Sequence, residues 1–335
     1  MRENARQKRR SELSSGMLDS ADSPAISSLP TAFPAWARAQ NPPDTDAEAG
    51  FLAGAALARL DALVREGPSW AGVWRQRLAL RAAAASVLRS GRNEDEAALR
   101  DAFHLTRPGA DPGPAGRRHI AWRALTANSL SQWRPAIARV AEVLEMPRDE
   151  ALQTAVEAAE ACASGNRLPP FAAARAYHLA RRALMPSTGG AGEGELLATG
   201  LADIVLALKL KWPFAAPLLA EPLFSAGGRR LGGDQTEAAE TARVQFAYAQ
   251  AAARACDLAA ELQRRTRALV EAAPKLRAKG AKAALQALLD EDSLSSATNI
   301  PGLSERGARR LFDRLVSLGA VRELTGRATF RLYGL

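Results

Sequence analysis

The residues of this sequence best suited to chemistry are arginines close to its C-terminal end. In residues 304–318, SERGARRLFDRLVSL, apolar side chains recur at helical spacing, which predicts a helix with one buried side. Arginines fill the rest of the circumference, and a guanidinium can hold a guanine edge or a phosphate through two hydrogen bonds. A helix of this size fits the DNA major groove. The apolar side comprises Ala308, Leu311, Phe312, Leu315 and Leu318, and the basic side comprises Arg306, Arg309, Arg310 and Arg314.

The segments before this helix predict a small domain around it. KGAKAALQALLDED has a single apolar face and is expected to be a helix, and SLSSATN after it is expected to be a short polar helix. IPG then forms a tight turn, Ser304 caps the arginine-rich helix, and Gly319 ends it. With a hairpin after it, this order of elements is that of a winged helix-turn-helix.

The final segment, AVRELTGRATFRLYGL, predicts a two-stranded β-hairpin that turns at Thr325 and Gly326. Arg327 would lie at the tip, where a wing reaches a phosphate or the minor groove of DNA. Alternation along the second strand predicts two sets of side chains. Ala328, Phe330 and Leu332 would face inward, and Arg331 and Tyr333 would face the other way.

The charge of the chain favours an acidic partner. Its 45 lysines and arginines exceed its 36 aspartates and glutamates, a net charge of +9. Residues 275–335 alone hold 11 basic and 6 acidic residues, a net charge of +5. Double-stranded DNA is the first candidate for the partner. An acidic protein that binds the same winged helix is the alternative, and a third interpretation is an arginine content that only keeps the protein soluble.

A second group of candidate residues surrounds the loop TRPGADPGPAG. His104, Arg107, Asp111, Arg117 and Arg118 are gathered around a segment too rich in proline and glycine to move freely. The three arginines could bind an anion that His104 and Asp111 orient. The alternative is a rigid connection between helices, in which these charges cap helix ends.

Other catalytic or metal-binding patterns are missing from the sequence. The three histidines, His104, His119 and His178, have no spacing typical of a helical zinc site, and Cys162 and Cys256 fit small core residues. No GxxxxGK[ST] or GxSxG motif occurs, and GGAGEG has neither a strand before it nor a lysine after it. We therefore expect no metal, no cofactor and no enzymatic activity.

The cysteines, the N-terminus and the most apolar stretch indicate the cellular compartment. Two cysteines in helical segments indicate a reducing cytoplasm, and the basic N-terminus has no apolar run after it, unlike a secretory signal. The most apolar stretch, LADIVLALKLKWPFAAPLLAEPLF, is interrupted by two lysines and three prolines and should not span a bilayer. We expect a cytoplasmic protein without a membrane partner, and the sequence leaves its oligomeric state open.

The rest of the chain predicts an all-α fold. Alanine and leucine are abundant and β-branched residues sparse, which favours helix. Helices follow one another without a fixed repeat, so an irregular multi-helix bundle is favoured over a solenoid. Asn93 is expected to cap the third helix. The predicted organisation is a disordered tail at 1–48, a helical bundle at 49–273 and the winged helix-turn-helix at 275–335.

Several long strings give the chain a family resemblance. FLAGAALARLDALV, RQRLALRAAAA, EDEAALRDAFHLTRPGADPGPAGR, APKLRAKGA and the C-terminal GLSERGARRLFDRLVSLGAVRELTGRATFRLYGL resemble a bacterial, mainly rhizobial family known as domain of unknown function 1403. The resemblance spans residues 51–335 and implies no activity, since that family is defined by sequence. The C-terminal string also looks like the winged-helix tails of bacterial DNA-associated proteins.

These observations give three functional hypotheses. The first is a DNA-binding accessory or regulatory protein, in which Arg306, Arg309 and Arg310 reach base edges or phosphates. In it, Arg314, Arg327 and Arg331 would hold the DNA backbone. Ser304 at the start of the helix is also predicted to contact DNA. The second is a protein-assembly adaptor that uses the winged helix against an acidic partner. The third, an enzyme or anion binder, would be centred on the loop from His104 to Arg118.

Overall fold

Polar side chains fix where many of the helices begin. The computed structural model describes residues 33–38, 40–107, 109–127, 129–185, 192–225, 236–327 and 329–335. In five helices a Ser, Thr or Asp accepts a hydrogen bond from the backbone N–H three residues later, which satisfies one donor of the first turn. These caps are Thr45, Asp95, Asp149, Thr236 and Ser304.

Across the described residues the chain forms twelve α-helices and three short strands. The mostly helical class predicted from composition is confirmed. In chain order the helices are α1 (Asp46–Glu66), α2 (Ala71–Arg89), α3 (Glu96–Leu105), α4 (Gly113–Ala127), α5 (Trp133–Val143), α6 (Glu150–Ser164), α7 (Pro169–Leu184), α8 (Glu193–Leu210), α9 (Ala220–Phe224), α10 (Glu237–Ala272), α11 (Ala281–Asp290) and α12 (Glu305–Ser317). Single 3-10 turns lie at Ala35–Ala37, Leu130–Gln132 and Ala273–Lys275.

Helix α8 lies at the centre of the bundle. Its residues from Gly194 to Ala207 are all buried, because α6 and α7 pack against it. This position explains the long apolar run, which a helix covered on all sides requires. Around it, α10 packs along α1, and α2 packs against α4. Among the described helices, none combines the length and the apolar content needed to cross a membrane.

The residue predicted to cap the N-terminus of the third helix, Asn93, is wrong by two positions. Asp95, not Asn93, accepts the hydrogen bond from the N–H of Ala98, at 2.9 Å, and α3 begins at Glu96. Both residue types cap well, so the sequence offers two equivalent starts. Packing of the apolar residues of α3, of which Leu99 is fully buried, selects the later one.

Part of the predicted N-terminal tail is folded. Residues 1–32 and 39 lie outside the described part of the chain. Directly after them, Phe33 and Ala37 are buried against the core. The Arg38 guanidinium forms two hydrogen bonds to Asp257 of α10, at 2.8 and 2.9 Å. Folded structure thus begins before the boundary at residue 49 that composition suggests.

The C-terminal segment contains α11, α12 and a three-stranded antiparallel sheet. Its strands are β1 (Leu294–Ser295), β2 (Arg322–Glu323) and β3 (Leu332–Gly334), in the spatial order β1-β3-β2. Leu294 pairs with Tyr333, and Arg322 pairs with Gly334. The predicted helix of arginines is confirmed as α12, with Ala308, Leu311, Phe312 and Leu315 buried and Leu318 half-buried.

Two expectations for this segment are corrected. SLSSATN is not a helix: it forms β1 and a turn, in which the N–H of Ser295 donates to the Thr298 hydroxyl at 3.1 Å. Hydroxyl side chains that bond the local backbone compete with helix in this way. The sheet consequently has three strands instead of two, since β1 pairs with β3 from the side away from β2.

The burial expected along the last strand is corrected in part: Leu332 is buried as predicted, but Tyr333, expected to face the other way, is buried too. Tyr333 is buried and stacks on Phe312, with 4.8 Å between ring centroids. Leu332 beside it is buried as well, because the central strand is covered on both faces. Phe330, expected to face inward, is half-buried and precedes the strand, and Ala328 lies outside the described residues.

The described residues from Phe33 onward belong to one compact unit. The segments predicted as separate domains, 49–273 and 275–335, both lie in it. Contacts of α11 with α2 contribute to this continuity.

Candidate nucleic-acid interface

The outward side of α12 carries four exposed arginines. Its buried side is fixed to the small sheet by the stack of Phe312 on Tyr333. Ser304 is exposed, but its hydroxyl accepts the N–H of Gly307 at 3.2 Å, so its role in the structure is to start the helix. The exposed arginines are the predicted ones, Arg306, Arg309, Arg310 and Arg314.

These four guanidiniums have no ion pair with any carboxylate of the described residues. The nearby Asp313 is instead 3.7 Å from Arg331 and accepts the Tyr333 hydroxyl at 3.3 Å. Four unpaired cations on one helix face raise the local potential and leave planar donors open to an incoming anion.

The arginines of the loop between β2 and β3 are engaged within the molecule. Arg327 pairs with Asp101 of α3, and its side chain is half-exposed. Arg331 is half-buried, and its Nε donates to the carbonyl of Arg327 at 3.2 Å. Arg327 therefore has a carboxylate partner, Asp101, that was not expected for a residue at the tip of a hairpin.

A groove of about 180 Å³ opens between the start of α12, the turn after β1 and the loop before β3. Its lining includes Arg309, Arg331, Ser296 and Phe330. Phe330 has a φ of 56°, a left-handed conformation that is costly for an aromatic residue and is often retained at functional sites. Besides two cations, a hydroxyl and an aromatic ring, the lining includes the carboxylate of Glu305, so the groove presents both signs of charge.

Asp292 holds the C-terminal segment on the bundle. It is buried, and it accepts hydrogen bonds from Arg77 of α2 and from Arg100 of α3, the latter at 2.6 Å. Burial alone would raise the pKa of Asp292, but the two guanidiniums outweigh it and hold the pKa at about 2. This buried carboxylate is therefore ionised whenever the protein is folded at neutral pH.

Further contacts surround this anchor. Arg123 of α4 pairs with Glu291 at 2.7 Å, and Arg77 donates to the carbonyl of Leu335 at 2.9 Å. Gly72 allows α2 to approach the end of α11 closely, because a Cβ there would lie 2.6 Å from the Cα of Asp290. The orientation of α12 relative to the bundle is consequently fixed by several elements.

Four of the five predicted loop residues are used in contacts within the molecule. His104 shares a hydrogen bond with Ser293 at 2.9 Å, and burial lowers its pKa. Arg117 pairs with Asp111 at 2.9 Å and with Glu145 at 3.1 Å. Arg118 is buried and pairs with Glu193 of α8, while Arg107 is exposed. These partners favour the rigid connection over an open anion site.

The matching family model bears on all of these elements. The family described as protein of unknown function (DUF1403) matches residues 22–335. The chain belongs to the DUF1403 family. No curated protein matches it in sequence. The DUF1403 match includes α12, the groove and the Asp292 anchor.

One buried polar network of this DUF1403 chain was not found from the sequence. Glu195 of α8 is buried and accepts from Arg89 at 2.7 Å and from the Tyr177 hydroxyl at 3.3 Å. Glu240 of α10, also buried, pairs with His178. The only signal is an acidic residue in an apolar helical run, which single-sequence patterns do not distinguish from an exposed one.

The network contains groups that serve as acids and bases, but its charges are matched internally. Arg181 lies 3.8 Å from Glu195 and 3.7 Å from Glu240 and so links the two carboxylates. Paired and hydrogen-bonded charges of this kind specify how helices pack. Within the described part of the chain, no group of three or more His, Cys, Asp and Glu residues is placed to hold a metal ion.

Proposed function

We propose that this protein binds double-stranded DNA as an accessory or regulatory factor, through the outward side of α12 in a winged-helix-like C-terminal segment. The observation that carries the proposal is the set of four exposed arginines without carboxylate partners among the described residues, on a helix held rigidly by its other side. A helix with this division of surface fits the major groove.

The exposed arginines divide by position along α12. Arg306, Arg309 and Arg310 belong to its N-terminal half, the part that meets base edges when a helix enters the groove. Arg314, one turn further, is assigned to the phosphate backbone, with Arg331 beside the groove. Arg327 pairs with Asp101, so we assign it to holding the loop and not to DNA.

The first prediction concerns Arg309→Ala/Arg310→Ala. Binding of the full chain to labelled duplex DNA is measured by fluorescence anisotropy at several salt concentrations. We expect the slope of log K against log salt to fall by about 0.9 for each phosphate that the variant no longer neutralises. Removal of a hydrogen bond to a base would cost about 1–3 kcal/mol and would relax sequence preference at that position.

The matched control is Arg167→Ala/Arg182→Ala, which removes two exposed cations at and before α7. It leaves the net charge equal to that of the test variant and should change binding little. If test and control variants bind alike, α12 does not contact DNA.

A protein-assembly adaptor is the other function that the same surface supports. An acidic protein would also meet the four arginines of α12, and its binding would also weaken with salt. Duplex DNA binding by the parent separates the two functions, because an adaptor would show none at 0.1 M salt. The free, buried cysteines Cys162 and Cys256 support a reducing cytoplasm as the place of action.

A further inference from the structure

A second cationic segment lies between α10 and α11. After α10 ends, a 3-10 turn at Ala273–Lys275 leads into an extended stretch. Leu276 is half-buried and packs against the core, whereas Lys275, Arg277 and Lys279 are exposed. Leu276 thus anchors the segment on the core, and the three cations around it face solvent.

This segment is packed directly beside the start of α12. Gly280 has no room for a side chain: a Cβ there would lie 2.6 Å from Leu303 Cγ and 2.7 Å from the Pro301 carbonyl oxygen. From the other side, a Cβ on Gly302 would lie 3.3 Å from the Cα of Gly280. The two turns thus meet backbone to backbone, next to the cap of α12 at Ser304.

The charges of the segment are not neutralised by its neighbours. Lys275, Arg277 and Lys279 form no ion pair with a carboxylate among the residues that the structure describes. Glu291 and Asp292, which follow α11, are turned toward the bundle and paired with its arginines, whereas Glu271, before the segment, is exposed. Three exposed cations therefore lie within five residues of this segment.

We infer that Lys275, Arg277 and Lys279 form a second, sequence-independent contact with the phosphate backbone of the DNA that α12 binds. This inference rests on the proposed function. Lysine is a flexible point charge suited to phosphates, whereas the arginine forks of α12 suit base edges. Because backbone packing fixes the two segments side by side, both meet one duplex without rearrangement.

The test compares Arg277→Gln/Lys279→Gln with the control Arg167→Gln/Arg182→Gln, both as full chains on labelled duplex DNA. We expect the salt slope of the test variant to fall by about 0.9, and affinity at 0.1 M salt to fall roughly eightfold, for each phosphate that is no longer neutralised. The decrease should be the same for every duplex sequence, which separates it from the effect of Arg309→Ala/Arg310→Ala. Lys275→Gln against Arg182→Gln tests the third cation alone.

The outcomes separate this inference from the function on which it rests. If the α12 variant loses affinity while Arg277→Gln/Lys279→Gln binds like its control, the second contact is wrong and the function stands. If the parent does not bind duplex DNA at 0.1 M salt, both are wrong. The substituted side chains are exposed, so unchanged thermal unfolding should accompany either result.

Discussion

Two buried aspartates of this protein have pKa values shifted in opposite directions. Asp292 lies between two guanidiniums, which hold its pKa at about 2 against the effect of burial. Asp203 of α8 is buried without such a partner, and burial raises its pKa to about 8 although the N–H groups of Leu218 and Leu219 donate to it. Both tie the chain together, but with opposite dependence on pH.

The raised pKa of Asp203 predicts that the free energy of unfolding decreases as the pH rises. A raised pKa means that the folded state holds the proton more tightly than the unfolded state. The free energy of unfolding should therefore fall as the pH rises from about 4 to about 8, and Asp203→Asn should lack this component. Urea unfolding of both proteins across that range measures the difference. A parent and variant with parallel pH profiles would contradict the assignment.

At the scale of elements, α12 combines a defined start, a buried side and a basic side. The Ser304 hydroxyl accepts a hydrogen bond from the N–H of Gly307 in the first turn. The buried side consists of Ala308, Leu311, Phe312 and Leu315. The groove beside it exists because β1 and the loop before β3 flank the helix start. Loss of the cap should therefore affect both stability and the adjacent basic surface.

Ser304→Ala should lower the free energy of unfolding by about 1 kcal/mol, because a helix N–H loses its partner. Ser317→Ala is the matched control at the other end of the same helix, where the hydroxyl donates to the Arg314 carbonyl at 2.8 Å and caps no N–H. Chemical denaturation compares the two. Equal effects from both substitutions would show that the cap contributes nothing specific.

At the scale of the whole molecule, the C-terminal segment is part of the helical unit. Asp292 joins it to α2 and α3, Glu291 joins it to α4, and Arg327 returns to Asp101. Ion pairs with three helices therefore fix the position of the C-terminal segment, including α12, on the bundle. A ligand on α12 would meet the surface of the bundle at a constant angle.

Asp292→Asn tests this construction. Removal of the charge takes away the carboxylate between Arg77 and Arg100 at a buried site and leaves Arg100 only the more exposed Glu96, 3.5 Å away, which should cost about 3–5 kcal/mol of stability. In the parent, the contribution of Asp292 is present above a pH of about 4 and lost as the pH falls toward about 2, since its folded pKa is lowered. Thermal unfolding as a function of pH measures both effects.

The control for this prediction is Asp257→Asn, which breaks the more exposed pair with Arg38. An exposed ion pair contributes at most about 1 kcal/mol. If both variants lose the same stability, Asp292 is not an anchor of the whole molecule.

Local sequence patterns were sufficient to predict the helical class, the position of α12 and which of its sides is buried. These features depend on interactions within a few residues: the 3.6-residue period, the Ser304 cap and the glycine that ends the helix. The absence of a fixed repeat likewise pointed to an irregular bundle. Local patterns also placed the four exposed arginines correctly, because a helix face follows directly from residue spacing.

Which polar residues have partners depends on contacts between distant parts of the chain. Asp292 is separated from Arg77 by 215 residues, and Arg327 from Asp101 by 226, so no local pattern links them. Strand β1 exists because β3, far along the chain, offers it hydrogen-bonding groups. The close approach of Gly280 and Gly302 places the segment at 275–279 beside the start of α12. Long-range packing fixes such pairs, whereas periodicity and caps act only between near neighbours.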